Sequence, residues 1–266
     1  MSKSLKHILL PAKEQGWELS LFSKTSWKLV ESILEIDKST VIPRDTRIAL
    51  PASAVVTVPL IIPSADHLTQ KGIAQLQMEQ SGLVKSGSAS WDLFLVDSAS
   101  TLSIGVSLVD KSIAIENQLI DQTFDLAARF YKVGDVDTIL CKREQGRWVT
   151  IFYKESRPFY IEMIDSIESI SPQLKSLFIQ FSVLGINFIP EVLIIEKVDD
   201  QDIDQTDLAD SLKIPMHQLD VINLAAHDSI DLQLVPSFVR VARKKRTQMK
   251  KLKSLVLVAL CIYTIG

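Results

Sequence analysis

The sequence predicts an α/β fold with an internal duplication. The chain has 266 residues, of which 47% are hydrophobic and 23% charged, as in ordinary folded proteins. Each half contains three extended stretches that are followed by a helical pattern and a further strand. Because this order of elements occurs in both halves, it indicates an α/β architecture built from two related units.

The opening of the chain indicates three short strands joined by turns. Aromatic and β-branched residues, separated by Gly, Ser and Lys, favour a meander of consecutive strands. The turns are Pro11 to Gly16 and Ser23 to Ser26, and a charged, proline-containing link runs from Asp37 to Arg44. The predicted strands are His7 to Leu10, Trp17 to Phe22 and Trp27 to Leu34.

A second group of elements follows within the first half. The β-rich stretch from Arg47 to Pro63 is interrupted by prolines, which are confined to strand ends, edges or bulges. Asp66 and the residues just before it can cap a helix that runs to about Gln80. A pair of strands is then predicted at Trp91 to Val96 and Thr101 to Val109.

The strongest helical pattern of the chain runs from Asp110 to Tyr131. Apolar residues recur there at helical spacing, among them Ile113, Ile120 and Phe124. The pattern predicts a core helix.

The second half repeats the arrangement of the first. Its turns are Glu144 to Gly146 and Lys154 to Pro158. The predicted strands are Asp137 to Arg143, Arg147 to Tyr153, Phe159 to Ile164, Glu191 to Lys197 and Leu219 to Leu224, and the predicted helices are Pro172 to Val183 and Thr206 to Leu212.

Clusters of residues that could bind metal are weak in this sequence. Five aspartates lie between Asp199 and Asp207, but the central glycine and the twelfth-position glutamate of a calcium loop are missing. A solvated loop explains the aspartates better. The two cysteines, Cys141 and Cys261, and four scattered histidines form no zinc pattern, so we expect no bound metal and a reducing compartment.

The carboxyl end of the chain is basic and then apolar. Removing its eight basic residues from the net charge of −3 leaves −11 on the rest of the chain. The thirteen residues from Ser254 to Gly266 contain no Asp, Glu, Lys, Arg or His, and they show no polar face. The basic residues are Arg240, Arg243, Lys244, Lys245, Arg246, Lys250, Lys251 and Lys253.

Lysines and arginines on one side of an apolar run are typical of the cytoplasmic flank of a membrane helix. We therefore predict the start of a transmembrane helix that is cut off before the roughly 20 residues needed for a span. No apolar leader precedes Pro11, so the body is expected in the cytoplasm. Nucleic acid is not an expected partner, because the basic run lacks base-stacking aromatics. The predicted transmembrane residues include Leu255, Val256, Leu257, Val258, Leu260 and Ile262.

Two segments carry a resemblance to a known family. Arg47 to Pro63, running into Gln75 to Gln80, is similar to a strand pair before a helix in that family. Ile230 to Pro236 is similar to the I-N-L-L-P segment that precedes a membrane helix. On these residues and the order of elements, the chain resembles the cytoplasmic, actin-like part of GspL, the inner-membrane platform protein of type II secretion, and its relative PilM of type IV pilus assembly.

This resemblance implies a duplicated actin-like, or ribonuclease H-like, fold. It divides the chain into a first half at 1–134, with a small subdomain inserted at about 43–109, and a second half at 135–235. A basic juxtamembrane segment at 236–253 and the start of the transmembrane helix at 254–266 follow. The implied location is the inner membrane, crossed once, with the amino-terminal domain in the cytoplasm.

The resemblance also implies where a nucleotide would bind. Actin-like ATPases place an Asp-x-Gly turn in the first hairpin of each half, to engage phosphate and Mg²⁺. The corresponding turns, Pro11 to Gly16 and Lys142 to Gly146, lack that pair, and Asn187 to Pro190 lacks the glycines of an adenosine turn. We therefore expect no catalytic residues and no cofactor, although a degenerate nucleotide site stays open.

Three functions remain to be separated. The first is a non-catalytic platform, implied as a homodimer, that binds a secretion or pilus ATPase, other inner-membrane platform proteins and membrane lipid. The second is an actin-like ATPase or kinase, for which Asp135 and Asp137 are the best Mg²⁺ candidates. The third is a tail-anchored adaptor whose chain ends at Gly266.

Overall fold

Thirteen strands form three sheets in the part of the chain that the structure describes. The structure is a computed structural model. It describes residues 7–23, 26–36, 40–83, 91–97, 99, 101–109, 121–197, 211–220, 222–225, 232 and 234–265.

The first sheet has the strand order β3-β2-β1-β4-β8. Strands β1, β2 and β3 form the predicted antiparallel meander, and β4 and β8 run parallel to β1. All five residues of β4 are buried, as expected for a strand inside a parallel sheet. The strands are β1 (His7–Pro11), β2 (Trp17–Ser23), β3 (Ser26–Ile33), β4 (Thr46–Leu50) and β8 (Thr123–Leu126).

The second sheet has the equivalent order, β11-β10-β9-β12-β13. Its first three strands are again an antiparallel meander, and its last two are parallel to β9. The predicted duplication of an α/β unit is therefore confirmed. The strands are β9 (Thr138–Glu144), β10 (Arg147–Lys154), β11 (Arg157–Ile164), β12 (Val192–Glu196) and β13 (Met216–Leu219).

A helix connects β11 to β12 in the second half, as the sequence predicted. The helix α2 (Ile170–Val183) buries Ile170, Leu174, Leu177 and Phe181 along one side. Phe181 lies among other aromatic rings, 5.3 Å from Phe152 between ring centroids. This aromatic packing fills the space between α2 and its sheet.

A small antiparallel sheet, with the order β5-β7-β6, is inserted between β4 and β8. Its strands are β5 (Val55–Ile61), β6 (Trp91–Asp97) and β7 (Leu102–Leu108), and α1 (His67–Gln80) packs against it. The Asp66 side chain caps α1 by accepting hydrogen bonds from Leu68 and Thr69, as predicted.

The small sheet also contacts the second half. The Thr57 hydroxyl, on β5, accepts a hydrogen bond from the Ile161 N–H at 2.9 Å and donates one to the Ile161 carbonyl at 3.2 Å. Thr57 therefore joins the edge strand β5 to the edge strand β11. The insert ties the two halves together.

Two sequence-based predictions need correction. The helix predicted at Asp110 to Tyr131 is wrong for residues 121–131, which form β8 and a 3-10 turn at Ala127–Phe130, while residues 110–120 lie outside the described part. Phe124, Asp125 and Leu126 of β8 are all buried, and the apolar residues of this segment also recur at helical spacing. The strand predicted at Leu219 to Leu224 instead ends at Leu219, while most of the helix predicted at Thr206 to Leu212 is outside the described residues.

The carboxyl-terminal helix, α3 (Ser237–Ile265), begins in the core and then leaves the body. Leu232, Leu234 and Val239 are buried in the main core cluster, whereas every residue from Lys244 to Val256 is exposed. No helix within the described ranges combines the length and the apolar character that crossing a membrane requires. Within these ranges the predicted transmembrane start is therefore not supported.

Candidate functional site

The hairpin turns of the two halves meet and bind each other. The turn after β1 and the turn after β9 are the two that correspond to phosphate-binding turns. The Gln145 N–H donates to the Ala12 carbonyl at 2.8 Å, and the Gly146 N–H donates to the Lys13 carbonyl at 2.9 Å. An ion pair between Arg143 and Glu14, at 2.9 Å, joins the same two segments. We call this contact the paired turns.

Both turns contain a glycine where a side chain would be crowded, at Gly16 by the end of β3 and at Gly146 by the opposite turn. Gly16 has a φ of +82°, and a Cβ there would clash with the Ile33 carbonyl and lie 2.8 Å from the Leu34 Cα. The Gln145-Gly146 loop has φ values of +52° and +77°, as in the type I′ turns that join two strands through two residues. A Cβ on Gly146 would lie 3.2 Å from the Glu14 carbonyl oxygen. The sequence therefore builds two narrow turns that fit together.

A buried polar cluster lies beneath the paired turns. The Glu144 carboxylate accepts hydrogen bonds from the Ala52 N–H at 2.9 Å and from the Tyr131 hydroxyl at 2.7 Å. The Lys142 ammonium donates to the same hydroxyl at 3.1 Å. Burial, followed by the charge of Glu144, raises the pKa of Tyr131 well above its ordinary value. The phenol is therefore protonated and acts as a structural donor.

A groove of about 440 Å³ opens beside this cluster, between the two halves. Its lining includes Lys13, Glu18, Trp27, Lys142, Glu196 and Asp220. Burial raises the pKa of Glu18, opposed by the positive charge of Lys142 and reinforced by Glu196. The Trp27 indole donates to the Ala225 carbonyl at 2.8 Å, so this wall also joins the halves.

The structure separates the other predicted site residues from the paired turns. Asp137 precedes β9, whereas the turn follows it, which places them at opposite ends of a strand about 20 Å long. Asp137 pairs with Lys154 at 3.4 Å, and Lys154 also donates to the Asn187 carbonyl at 3.2 Å. Asp135 lies just before Asp137, so these residues and Asn187 to Pro190 lie at the end of the strands that is opposite the paired turns.

The cluster residues Tyr131, Lys142 and Glu144 were not predicted. Their signal was the charged end of a strand, Lys142-Arg143-Glu144, directly before a glycine turn. Tyr131 could not be found because it was assigned to a helix. Among the described residues, no three His, Cys, Asp or Glu side chains come together as metal ligands.

The predicted basic residues lie on α3. Arg246 makes two hydrogen bonds to the Asp121 carboxylate at 2.7 and 2.8 Å, which lower the pKa of Asp121. Arg243 donates to the Gln122 carbonyl at 2.7 Å. These contacts hold the start of the helix against residues that precede β8. Lys244, Lys245, Lys250, Lys251 and Lys253 are exposed, and Arg240 is half-buried.

No protein-family model matches the chain, and no curated protein matches its sequence. Among solved structures, the PilM–PilN type IV pilus biogenesis complex matches with a TM-score of 0.50 and 10% identity, over 81% of this chain and 88% of the other. At this identity the match shows the fold alone, and it confirms the predicted actin-like α/β fold.

Two further structures are similar at lower scores. The cytoplasmic domain of EpsL, an inner-membrane component of the type II secretion system of Vibrio cholerae, has a TM-score of 0.47 and 8% identity, over 90% of this chain and 93% of its own. A Bacteroides thetaiotaomicron protein of actin-like ATPase fold and unknown function has a TM-score of 0.43 and 11% identity, over 82% and 92%.

Proposed function

We propose that this chain is a non-catalytic platform protein of a type II secretion system, whose body recruits the assembly ATPase and links it to a membrane complex. The observation that carries the proposal is the hydrogen bonding between the paired turns. It bears on catalysis, because these turns are the ones that hold phosphate in actin-like ATPases.

Phosphate binding by a turn needs backbone N–H groups that point at an open space. Here the N–H groups of Gln145 and Gly146 donate to carbonyl oxygens of the opposite turn. A bound phosphate would have to break both hydrogen bonds, and neither turn supplies an aspartate for Mg²⁺. The hydrogen bonding therefore favours turns that bind each other over turns that hold a phosphate.

The helix α3 supports a role at the membrane. Five exposed lysines on it are followed by the uncharged stretch that starts at Ser254. Anionic lipid attracts such residues by about 1 kcal/mol each. In the proposal, this end of α3 enters the inner membrane and the body stays on the cytoplasmic side. Attachment would raise the effective concentration of a bound ATPase beside its membrane partners.

The test of the platform function is a pull-down with the amino-terminal region of a secretion ATPase. The full chain, held in lipid nanodiscs with anionic lipid, should retain that ATPase, and an unrelated membrane protein with a similar basic collar is the control. Failure to retain any secretion or pilus ATPase would contradict the proposal. The same pull-down with a secretion ATPase and with a pilus ATPase distinguishes the two systems. Pilus assembly is the alternative to secretion, because the PilM–PilN complex is one of the similar structures.

Calorimetry with ATP and Mg²⁺ tests the absence of catalysis. We expect no heat of binding and no phosphate release. Micromolar binding with turnover would favour the actin-like ATPase instead. Cosedimentation with vesicles that contain a fifth of anionic lipid, or none, tests the membrane attachment by itself; equal pelleting with both would contradict a basic contact.

A further inference from the structure

The strand β3 is an exposed edge. It is the outermost strand of the first sheet, and among the described residues only β2 pairs with it. Six of its eight residues are exposed, including Leu29 at 59% and Val30 at 57%. A long edge strand with exposed apolar side chains is a surface for pairing with another strand. The edges of β5 and β11, in contrast, are joined through Thr57.

A β-bulge changes which side chains of β3 share a face. The register passes from Leu19 opposite Glu31 to Ser20 opposite Leu29, which leaves Val30 as the extra residue. Lys28 lies opposite Leu21, and Leu19 and Leu21 are on the same face of β2. The bulge therefore places Lys28 and Glu31 on one face, although they are three positions apart.

We propose that β3 pairs in antiparallel fashion with β3 of a second copy of this chain. In this pairing Lys28 of each copy lies opposite Glu31 of the other. At the centre, Leu29 of each copy lies opposite Val30 of the other. The two sheets join into one continuous sheet across a two-fold axis. The inference depends on neither the ATPase nor the membrane attachment.

Symmetry supports this register. A two-fold axis between antiparallel strands stands perpendicular to the sheet, so paired residues must lie on the same face. In a regular strand, residues three positions apart lie on opposite faces, and a Lys28–Glu31 pair would be impossible. The bulge removes this obstacle. It also puts Trp27 and Ser32 on a common face, since their partners are Phe22 and Glu18.

The charges of β3 favour a second copy over an unrelated strand. The strand carries one lysine and one glutamate, placed symmetrically about the Leu29–Val30 centre. Two copies therefore match every charge with its opposite, whereas a body with net charge −11 outside the basic segment would otherwise repel itself. Opposite charges directly across a strand pair stabilise it, and like charges destabilise it.

Charge exchange tests the proposal. The full chain in detergent is studied by sedimentation velocity over a range of concentrations. The wild type should dimerise, and Lys28→Glu or Glu31→Lys should each weaken the dimer at least about tenfold, because two matched pairs become two repulsive ones. The double variant Lys28→Glu, Glu31→Lys restores the pairs in reverse and should recover wild-type affinity.

Glu35→Lys is the matched control, since Glu35 is exposed just beyond β3 and has the same charge change. It should leave the dimer unchanged. A wild-type chain that stays monomeric overturns the proposal. Single variants that dimerise with wild-type affinity also overturn it. The same holds for a double variant that folds as stably as the wild type in thermal unfolding but dimerises as weakly as the single variants.

Discussion

Gly16 has no room for a side chain, because a Cβ there would meet the backbone of Ile33 and Leu34 at the end of β3. Gly16→Ala should destabilise the chain by about 2 to 4 kcal/mol, since the left-handed backbone costs about 1 to 2 kcal/mol and the clash adds a similar amount. Gly185, at φ +75° with open space around it, is the matched control. Urea unfolding should show a clearly larger loss for Gly16→Ala, and equal losses would refute the close contact.

Asp125 holds two buried guanidinium groups. It lies 3.2 Å from Arg47 and 2.8 Å from Arg129, and its own side chain is 1% exposed. Asp125→Asn removes the carboxylate charge that both buried arginines contact, which should cost about 3 to 5 kcal/mol of unfolding free energy. Asp121→Asn breaks an exposed pair with Arg246 and should leave stability unchanged. Similar losses for both would contradict this account.

Glu18 is predicted to lower stability near neutral pH. Burial raises its pKa above the ordinary 4.5, so the folded chain holds the proton more tightly than the unfolded chain. Ionisation therefore destabilises the fold as the pH rises through the folded pKa. Glu18→Gln should stabilise the chain at about pH 7, and this gain should disappear as the pH falls towards about 4.

The measurement is the difference in unfolding free energy between wild type and Glu18→Gln at several pH values. Glu35→Gln, at an exposed position, is the control. A difference that is independent of pH, or a destabilising effect at neutral pH, would contradict the predicted direction.

At the scale of elements, the meanders and α1 and α2 were predictable because each rests on local signals. Strands of the first meander are bounded by turn residues, and α1 has its aspartate cap. β8 was not predictable, because it has only four residues and Phe124, Ala127, Ala128 and Tyr131 also recur at helical spacing. The buried carboxylate of Asp125, which is paired with arginines, gives no strand signal in the sequence.

The bridge between β5 and β11 carries an element-scale prediction. Thr57→Val removes the hydroxyl that serves both the N–H and the carbonyl of Ile161. Leaving these partly buried groups unpaired should cost about 1 to 3 kcal/mol. Thr247→Val, which removes an exposed hydroxyl bonded within α3, is the control. An equal change in the thermal unfolding temperature of both variants would contradict the stabilising role of the Thr57 hydrogen bonds.

At the scale of the whole molecule, sequence reasoning found the two turns but not that they bind each other. Their positions follow from local hairpin signals, Pro11 to Gly16 and Lys142 to Gly146. Their contact depends on how the two halves pack, and so do Tyr131 and Glu144 beneath them. Long-range packing leaves no fixed spacing in a sequence.

Truncation separates the part of α3 that belongs to the body from the part that leaves it. Val239 is fully buried, and Phe238 packs against the same core. A chain ending at Pro236 should therefore lose about 2 to 4 kcal/mol, as expected for removing one buried and one partly buried apolar side chain. A chain ending at Thr247 keeps these contacts and should unfold like the full chain in urea. Equal stability of both would show that α3 is not part of the fold.

The place where α3 departs has a geometric consequence. Asp121 and Gln122, which hold the helix, precede β8, whereas the paired turns follow β1, which runs parallel to β4 and β8. The contact with α3 and the paired turns thus lie at opposite ends of the strands of one sheet, roughly 15 Å apart. On a lipid-bound chain, the strand ends that hold α3 would face the bilayer, and the groove would lie at the opposite ends. In the proposed platform, a binding partner would then reach the groove from the side that faces away from the bilayer.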